Sequence, residues 1–314
     1  MDSKNKTYDC IIIGGGCAGY PAAVYAARFN MNTLLIAKEQ GGLITTTHLV
    51  ENYPGFISLS GPELADKLKG HVVANNVPMV DDIVTSVEKD DESKLFTITT
   101  GISEQVYTAK TVILATGTQH KHLGVDGEWE YQSKGVSYCA TCDGPFFKKK
   151  TVAIVGGGDT AAKEAMVLAQ TCERVYMFVR STLKAEPINA DRIKKINNIE
   201  IIEGVNVTKI NGEKKVTSVE LDKEVNGSNI VELSGVFIAI GMNPHNELAK
   251  QLGVELNTKG EVIINRVSQT NVEGVLAAGD LTNAEWKQGI IAAAEGSVAA
   301  YSAFEYLQNL EDNS

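Results

Sequence analysis

Residues 8–19 read YDCIIIGGGCAG, an apolar stretch that runs into a cluster of glycines. The apolar part, Tyr8–Ile13, predicts a buried strand, and the alanine-rich residues Tyr20–Phe29 predict a helix. A second apolar strand is expected over Asn32–Ala37. Strand, glycine turn, helix and strand together form a βαβ unit, so this stretch predicts an α/β fold built on a parallel sheet.

The spacing of the glycines indicates what the turn binds. Gly14, Gly16 and Gly19 follow the pattern in which the first glycine allows a tight turn and the second lets backbone approach a pyrophosphate. The third glycine lets the helix pack close to the strand. Glu39 lies 20 residues beyond Gly19, where a carboxylate can accept hydrogen bonds from a ribose. The sequence therefore predicts a dinucleotide site here.

The same pattern begins again 142 residues later. Gly156, Gly158 and Ala161 take the equivalent positions, after the predicted strand Thr151–Val155. Val236–Gly241 is expected to be the strand that closes this second unit. Two dinucleotide turns in one chain indicate a flavin and a nicotinamide that work together, because hydride chemistry needs both carriers close to each other.

Other elements are predicted from local signals. Ser60 and Glu63 have the spacing of a capping box before a helix at Leu64–Asn75. Short strands are expected at Val262–Ile264 and Val275–Ala277, before a long helix that begins at about Gly289. This tail is too short to fold alone, so we expect it to complete the first unit.

The predicted fold class is therefore α/β, with two Rossmann-like nucleotide-binding domains of the three-layer ββα type. The first domain is discontinuous and comprises residues 1–118 and 248–314. The second comprises residues 119–247. This division places the second glycine turn and the chain's closely spaced cysteine pair in one domain.

Basic residues after the second unit bear on the choice of nicotinamide. The strand Arg174–Val179 is followed by Arg180, and Lys184 comes four residues later. These cations could hold a 2′-phosphate, and no Asp or Glu stands at that strand end to hold a free 2′-hydroxyl. The pattern favours NADPH over NADH. The alternative is that both cations are solvated surface residues.

Cys139 and Cys142 are separated by two residues, the spacing of a redox-active dithiol. The flanking backbone can lower the pKa of one thiol towards neutrality. Asp143, the next residue, could carry the proton as thiol and thiolate exchange roles. Half of a zinc site is an alternative, but the other cysteines are isolated and the nearest histidines, His120 and His122, lie well upstream. We expect no metal.

Composition excludes several classes of protein. The chain has 314 residues, a net charge of −10 and five scattered cysteines. No basic stripe favours nucleic-acid binding, and the apolar runs are too short to span a membrane. The N-terminal residues lack the apolar region of a secretory signal, so we expect a cytoplasmic protein.

Several motifs in order resemble the low-molecular-weight thioredoxin reductases, from about Tyr8 to Leu307. They are the two glycine turns, CATCDG at 139–144, QGG at 40–42, ENYPG at 51–55, ATG at 115–117, AGD at 278–280 and KQGI at 287–290. The resemblance implies a homodimeric enzyme that passes electrons from NADPH through FAD and the cysteine pair to thioredoxin or a similar protein disulfide.

The resemblance also implies which residues serve each group. Cys142 would face the flavin, Cys139 would complete the disulfide, and Asp143 would be the acid and base. FAD would be bound by Gly14, Gly16, Gly19, Glu39, Gln40, Gly42, Thr47, Asn52, Thr116, Gly117, Asp280, Gln288, Gly289 and Ile290. The nicotinamide cofactor would be bound by Gly156, Gly158, Asp159, Thr160, Ala161, Arg180 and Lys184.

One stretch departs from the family. Members that use NADPH usually carry His-Arg-Arg-x-x-x-Arg where residues 178–184 here read FVRSTLK. Because Arg and Lys differ in phosphate recognition, ferredoxin or a deazaflavin is an alternative electron donor. A flavin-dependent dithiol oxidase of the same architecture is an alternative function. It would carry electrons from small thiols to oxygen.

Overall fold

The computed structural model describes residues 7–47 and 49–312, and for Glu311 only the backbone. The prediction that the N-terminus lacks a secretory signal rests on residues 1–6, which lie outside the described part. The chain divides into two units. The first comprises Met1–Gln119 and Asn243–Ser314, and the second comprises His120–Met242.

Secondary-structure elements are numbered in chain order. The first segment contains β1 (Thr7–Gly15), α1 (Gly19–Arg28), β2 (Thr33–Gln40), α2 (Gly61–Ala74), β3 (Met79–Val80), β4 (Val84–Lys89), β5 (Phe96–Thr100), β6 (Val106–Leu114) and β7 (Thr118–His120). The middle segment contains β8 (Val136–Ser137), α3 (Ala140–Asp143), β9 (Thr151–Val155), α4 (Asp159–Ala169), β10 (Arg174–Val179), α5 (Pro187–Ile193), β11 (Ile199–Glu203), β12 (Val207–Gly212), β13 (Val216–Val225), β14 (Ser228–Glu232) and β15 (Gly235–Ile238). The last segment contains β16 (Met242–Pro244), α6 (Glu247–Gln251), β17 (Val275–Ala277) and α7 (Gly289–Asp312).

The first unit is built on a sheet of order β3-β2-β1-β6-β5-β4, with β17 also paired to β6. β1, β2, β3, β6 and β17 run parallel, whereas β4 and β5 form an antiparallel extension. Alternate residues of β1 face opposite sides of the sheet, so Ile12 packs in the core with α1 and α7 and Ile11 packs in the core on the other face. Such strands are buried on both faces, which explains the continuous apolar run at Ile11–Ile13.

The second unit repeats this design. Its parallel sheet has the order β11-β10-β9-β15-β8, and β12, β13 and β14 form a separate antiparallel sheet. One core packs α4 against the parallel sheet, with Ala161, Ala162 and Ala165 buried on the helix. The other core lies between the parallel sheet and the antiparallel strands, around Phe178 and Val219. Each unit therefore has the layered α/β architecture expected from its glycine turn, as the sequence predicted.

Most predicted elements agree with the structure. Ser60 and Glu63 form the predicted capping box at the start of α2, and β17 occupies the predicted residues. The prediction of a strand at Val262–Ile264 is wrong, because Val262 forms only isolated β-bridges, to Leu256 and Thr282. None of the helices in residues 7–47 and 49–312 has the length and apolar character needed to cross a bilayer.

Candidate active site

Cys139 and Cys142 form a disulfide whose Cα atoms lie 5.3 Å apart. Cys139 is the N-cap of the short helix α3, and its Sγ accepts a hydrogen bond from the backbone N–H of Cys142 at 3.2 Å. Ala140, between them, is fully buried. The cysteine pair therefore lies at the start of a helix, and the backbone between the two sulfurs is packed inside the protein.

Asp143 is the last residue of α3, and it is hydrogen-bonded to strand β8, which precedes this helix. Ser137, at the end of β8, donates its hydroxyl to Asp143 Oδ2 at 2.6 Å. The same hydroxyl oxygen accepts the backbone N–H of Cys139 at 3.1 Å. Ser137 is almost fully buried, so it fixes the carboxylate of Asp143 relative to the start of the redox helix.

A second carboxyl group lies behind the redox helix, and no sequence motif predicted it. Glu164 on α4 accepts a hydrogen bond from the backbone N–H of Ala140, which lowers its pKa, but burial outweighs this and raises the pKa to about 7. Its Oε2 atom is buried and has no hydrogen-bond partner among the described residues. Glu164 is therefore a carboxyl group that changes charge near neutral pH, within contact of the backbone between the two cysteines.

The residue before Cys139 belongs to a polar and aromatic cluster. The hydroxyl of Tyr138 donates to Oε1 of the fully buried Glu128 at 2.7 Å and lies 2.9 Å from His122 Nδ1. His120 stacks on the Tyr138 ring with centroids 4.7 Å apart, and burial lowers the pKa of His120 to about 4. Within residues 7–47 and 49–312, no three His, Cys, Asp or Glu side chains are grouped so that they could hold a metal ion.

The first glycine turn has the close approaches that its pattern predicts. Gly14 has a positive φ of 116°, and a Cβ there would collide with the carbonyl of Ala115. A Cβ at Gly19 would collide with the carbonyl of Gly14, so only glycine lets α1 begin here. Gly16 differs, because its nearest neighbours would be Gly41 O at 3.6 Å and Gly42 Cα at 3.7 Å. The backbone at Gly16 is thus open to a ligand and fits the pyrophosphate of a dinucleotide.

Other residues predicted to bind FAD lie around this turn. Gly42 begins a short 3-10 helix and packs against Gly16. Asn52 donates to Gln288 Oε1 at 3.1 Å, which joins two predicted residues that are 236 positions apart. Asp280 lies in the 3-10 helix Gly279–Leu281, and burial raises the pKa of its carboxyl group.

The remaining residues of this predicted set occupy strand ends, loops and the start of a helix. Glu39 is exposed near the end of β2, and Gln40 accepts the hydroxyl of Tyr20 at 2.8 Å. Thr116 donates its hydroxyl to the carbonyl of His245 at 2.8 Å. The others are Thr47, which follows the 3-10 helix Gly42–Thr46, Gly117, which follows β6, and Gly289 and Ile290, which begin α7.

The second glycine turn has the same organisation. A Cβ at Gly156 would collide with the carbonyl of Ala239, whereas a Cβ at Gly158 would have no neighbour within 4 Å. Gly158 caps α4 and is followed by Thr160 and Ala161 in its first turn. Asp159 is held by Asn189, whose Nδ2 donates to its Oδ1 at 2.6 Å, and by an ion pair with Lys163 at 2.9 Å.

Arg180 and Lys184 lie in the loop that follows β10, and both side chains are exposed. The backbone N–H of Lys184 donates to Gly157 O at 2.7 Å, which places this loop against the glycine turn. The end of β10 itself carries no Asp or Glu, but an acid of the neighbouring strand lies beside it. It is Glu203, the last residue of the neighbouring strand β11, paired with Val179.

Comparisons with known proteins agree with this description. Residues 8–299 match the family of pyridine nucleotide-disulphide oxidoreductases. The chain is 41% identical to a thioredoxin reductase of Treponema pallidum over 310 residues, covering 97% of this chain and 99% of that protein. A solved thioredoxin reductase from Streptococcus pyogenes is 36% identical, with a TM-score of 0.90 over 98% of this chain and 100% of the other. The chain is also 38% identical to an alkyl hydroperoxide reductase protein of Escherichia coli over 97% of its own length, but spans only 59% of that protein.

Proposed function

The chain belongs to the pyridine nucleotide-disulphide oxidoreductase family, and we propose that it acts as an FAD-dependent thioredoxin reductase. The observation that carries this proposal is the Cys139–Cys142 disulfide at the start of a helix, with Asp143 beside it. The similarity to thioredoxin reductases over nearly the whole chain supports the same activity. NADPH and FAD, when bound, would supply the electrons that reduce this disulfide, and the cysteines would pass them to the disulfide of a thioredoxin-like protein.

The two glycine turns are the groups that would hold the cofactors. Gly14, Gly16 and Gly19 would hold the pyrophosphate of FAD, and Glu39 would accept hydrogen bonds from its ribose. The turn from Gly156 to Ala161 would hold NADPH, with Arg180 and Lys184 near the adenosine end. When bound, the flavin supplies a two-electron carrier between the nicotinamide and the disulfide.

The cysteines then transfer the electrons by thiol–disulfide exchange. In the reduced protein, one thiolate of the pair attacks a sulfur of the partner's disulfide, and the other partner sulfur leaves as a thiolate. The second cysteine attacks the mixed disulfide, which releases the partner as a dithiol and re-forms the Cys139–Cys142 bond. Asp143 would accept the thiol proton and return it to the departing thiolate.

Two proposed properties concern the whole molecule. We propose a homodimer located in the cytoplasm, on the basis of the resemblance to low-molecular-weight thioredoxin reductases. Size-exclusion chromatography with light scattering would test the dimer. A mass near twice the chain mass of 33.7 kDa supports it, and a mass near that of one chain contradicts it.

The proposed activity is tested by steady-state reduction of a thioredoxin with NADPH. We expect the yellow holoprotein to reduce the thioredoxin, and Cys139→Ser and Cys142→Ser to lose this activity. If thioredoxin is reduced only when reduced ferredoxin or a reduced deazaflavin replaces the nicotinamides, NADPH is not the electron donor. The proposed transfer from FAD through the cysteine pair to thioredoxin is then still supported. Oxygen uptake with a small dithiol and no nicotinamide would instead support the dithiol oxidase.

A further inference from the structure

We propose that Glu203 sets the nicotinamide preference of this chain by holding a carboxylate where the adenosine 2′ substituent binds. The site then accepts NADH as well as NADPH and discriminates only weakly between them. This inference rests on the proposed function, because it concerns the nicotinamide site of that enzyme. It assigns a specificity-determining role to a residue outside every motif described above.

The sheet register places Glu203 on the strand next to the position where an acid selects a ribose hydroxyl. In dinucleotide-binding folds that position is the end of the second strand, about 20 residues after the glycine turn. Here the second strand is β10, and its last residue, Val179, pairs with Glu203 of β11. Paired residues on adjacent strands point to the same face of a sheet. A Cβ at Gly157 would lie 2.6 Å from Val179 Cγ1, so this face is the one that carries the glycine turn.

A hydrogen bond holds the Glu203 carboxylate against the loop that follows β10, which would surround a 2′-phosphate. Glu203 Oε1 accepts the backbone N–H of Leu183 at 2.7 Å. The next residue, Lys184, donates its backbone N–H to Gly157 O at 2.7 Å. The carboxylate is therefore bound to a loop that is itself bound to the glycine turn, and it occupies one of the loop's backbone donors.

The charges of this loop explain the expected preference. Arg180 and Lys184 are exposed, and within the described part of the chain neither forms an ion pair. They attract a 2′-phosphate, whereas Glu203 repels it and can accept a hydrogen bond from a free 2′-hydroxyl. One carboxylate among two cations reduces the advantage that NADPH would otherwise have.

A purely structural role for Glu203 is the competing interpretation, because its hydrogen bond to Leu183 also supports the loop. Glu203→Gln separates the two roles. The glutamine keeps an oxygen that can accept the Leu183 N–H and removes only the charge. Glu200→Gln is the matched control, because Glu200 lies on the same strand but pairs with Tyr176, near the opposite end of β10.

Binding of two nucleotide fragments tests the inference directly. Calorimetric titrations of the FAD-loaded protein with 2′,5′-ADP and with 5′-AMP compare ligands that differ only in the 2′-phosphate. We expect Glu203→Gln to raise the ratio of their affinities about three- to tenfold in favour of 2′,5′-ADP at low salt. Glu200→Gln should leave the ratio at the wild-type value.

The inference is overturned if Glu203→Gln leaves the ratio unchanged, if Glu200→Gln changes it equally, or if neither fragment binds. Anaerobic reduction of the flavin by NADPH and by NADH separates this failure from failure of the proposed function. An unchanged fragment ratio with rapid reduction by NADPH rejects only the role of Glu203. Absence of reduction by either nicotinamide rejects the proposed donor, whatever the fragment ratio.

Discussion

The hydroxyl of Ser137 donates a 2.6 Å hydrogen bond to the Asp143 carboxylate. The same oxygen accepts the backbone N–H of Cys139. A nearly buried serine thus joins the proposed acid and base to the first cysteine of the redox pair. Because this hydroxyl links strand β8 to both ends of helix α3, its removal would disturb the proposed proton transfer without changing a sulfur.

We expect Ser137→Ala to reduce the rate of thioredoxin reduction about five- to tenfold at neutral pH, because Asp143 loses a hydrogen bond that orients it. The effect should appear in steady-state turnover and shift its pH profile, while anaerobic flavin reduction by NADPH keeps its wild-type rate. Ser234→Ala is the control. Ser234 lies in the same unit, and its hydrogen bond to Thr151 O comes from the backbone N–H, which the substitution keeps. A turnover rate and pH profile equal to wild type would show that Ser137 does not position the acid.

The glycines of the first turn should separate folding from FAD binding. Gly16→Ala introduces contacts of ordinary length, so we expect the protein to fold. Its affinity for FAD should fall at least about tenfold, because the added methyl group keeps the pyrophosphate from approaching the backbone. Gly19→Ala forces a side chain into the carbonyl of Gly14 and should destabilise the fold by several kcal/mol.

Flavin absorbance and thermal unfolding of the apoprotein distinguish these two outcomes. If Gly16→Ala purified with full flavin content and bound FAD as tightly as the wild type, Gly16 would not lie against the pyrophosphate. If apoprotein carrying Gly19→Ala unfolded at the wild-type temperature, the collision inferred for this position would be wrong.

Glu164 should make stability depend on pH. Its folded pKa of about 7 lies above the usual 4.5, so the native state holds more protons between these values and stability falls as pH rises through this range. Glu164→Gln stays neutral, and we expect it to gain on the order of 1–3 kcal/mol over the wild type between pH 5 and pH 8.

Urea unfolding of both proteins at pH 5 and pH 8 measures this gain, with the exposed Glu232→Gln as control. The same difference between variant and wild type at both pH values would contradict the raised pKa. A gain by Glu232→Gln as large as that of Glu164→Gln would assign the effect to net charge instead.

Much of the fold could be predicted because its signals are local in the sequence. The glycine turns follow apolar strands, and the capping box of Ser60 and Glu63 marks the start of α2. Val262–Ile264 was predicted wrongly, because its apolar residues are typical of a strand, whereas Val262 meets only isolated partners in the surrounding loops. Whether an apolar segment pairs as a strand depends on which other segments the tertiary structure brings next to it, and the local sequence pattern does not contain that information.

The candidate site likewise contains residues that the local sequence predicted and residues that only the tertiary structure brings to it. The cysteine pair was recognised from its spacing, and its disulfide is present in the structure. Glu164 and Glu203 were missed, since one depends on packing of α4 behind α3 and the other on the register of β10 with β11. A search for acids at the end of the third strand of the second unit could have found Glu203.

The relay is tested most directly by counting the electrons that the protein accepts. In an anaerobic titration with NADPH, the flavin takes two electrons and the Cys139–Cys142 disulfide takes two more. We expect the wild type to consume about two NADPH per flavin before reduction is complete. Cys139→Ser and Cys142→Ser should each consume about one. Complete reduction of the wild type by one NADPH per flavin, or uptake of two by either variant, would contradict electron transfer to this disulfide.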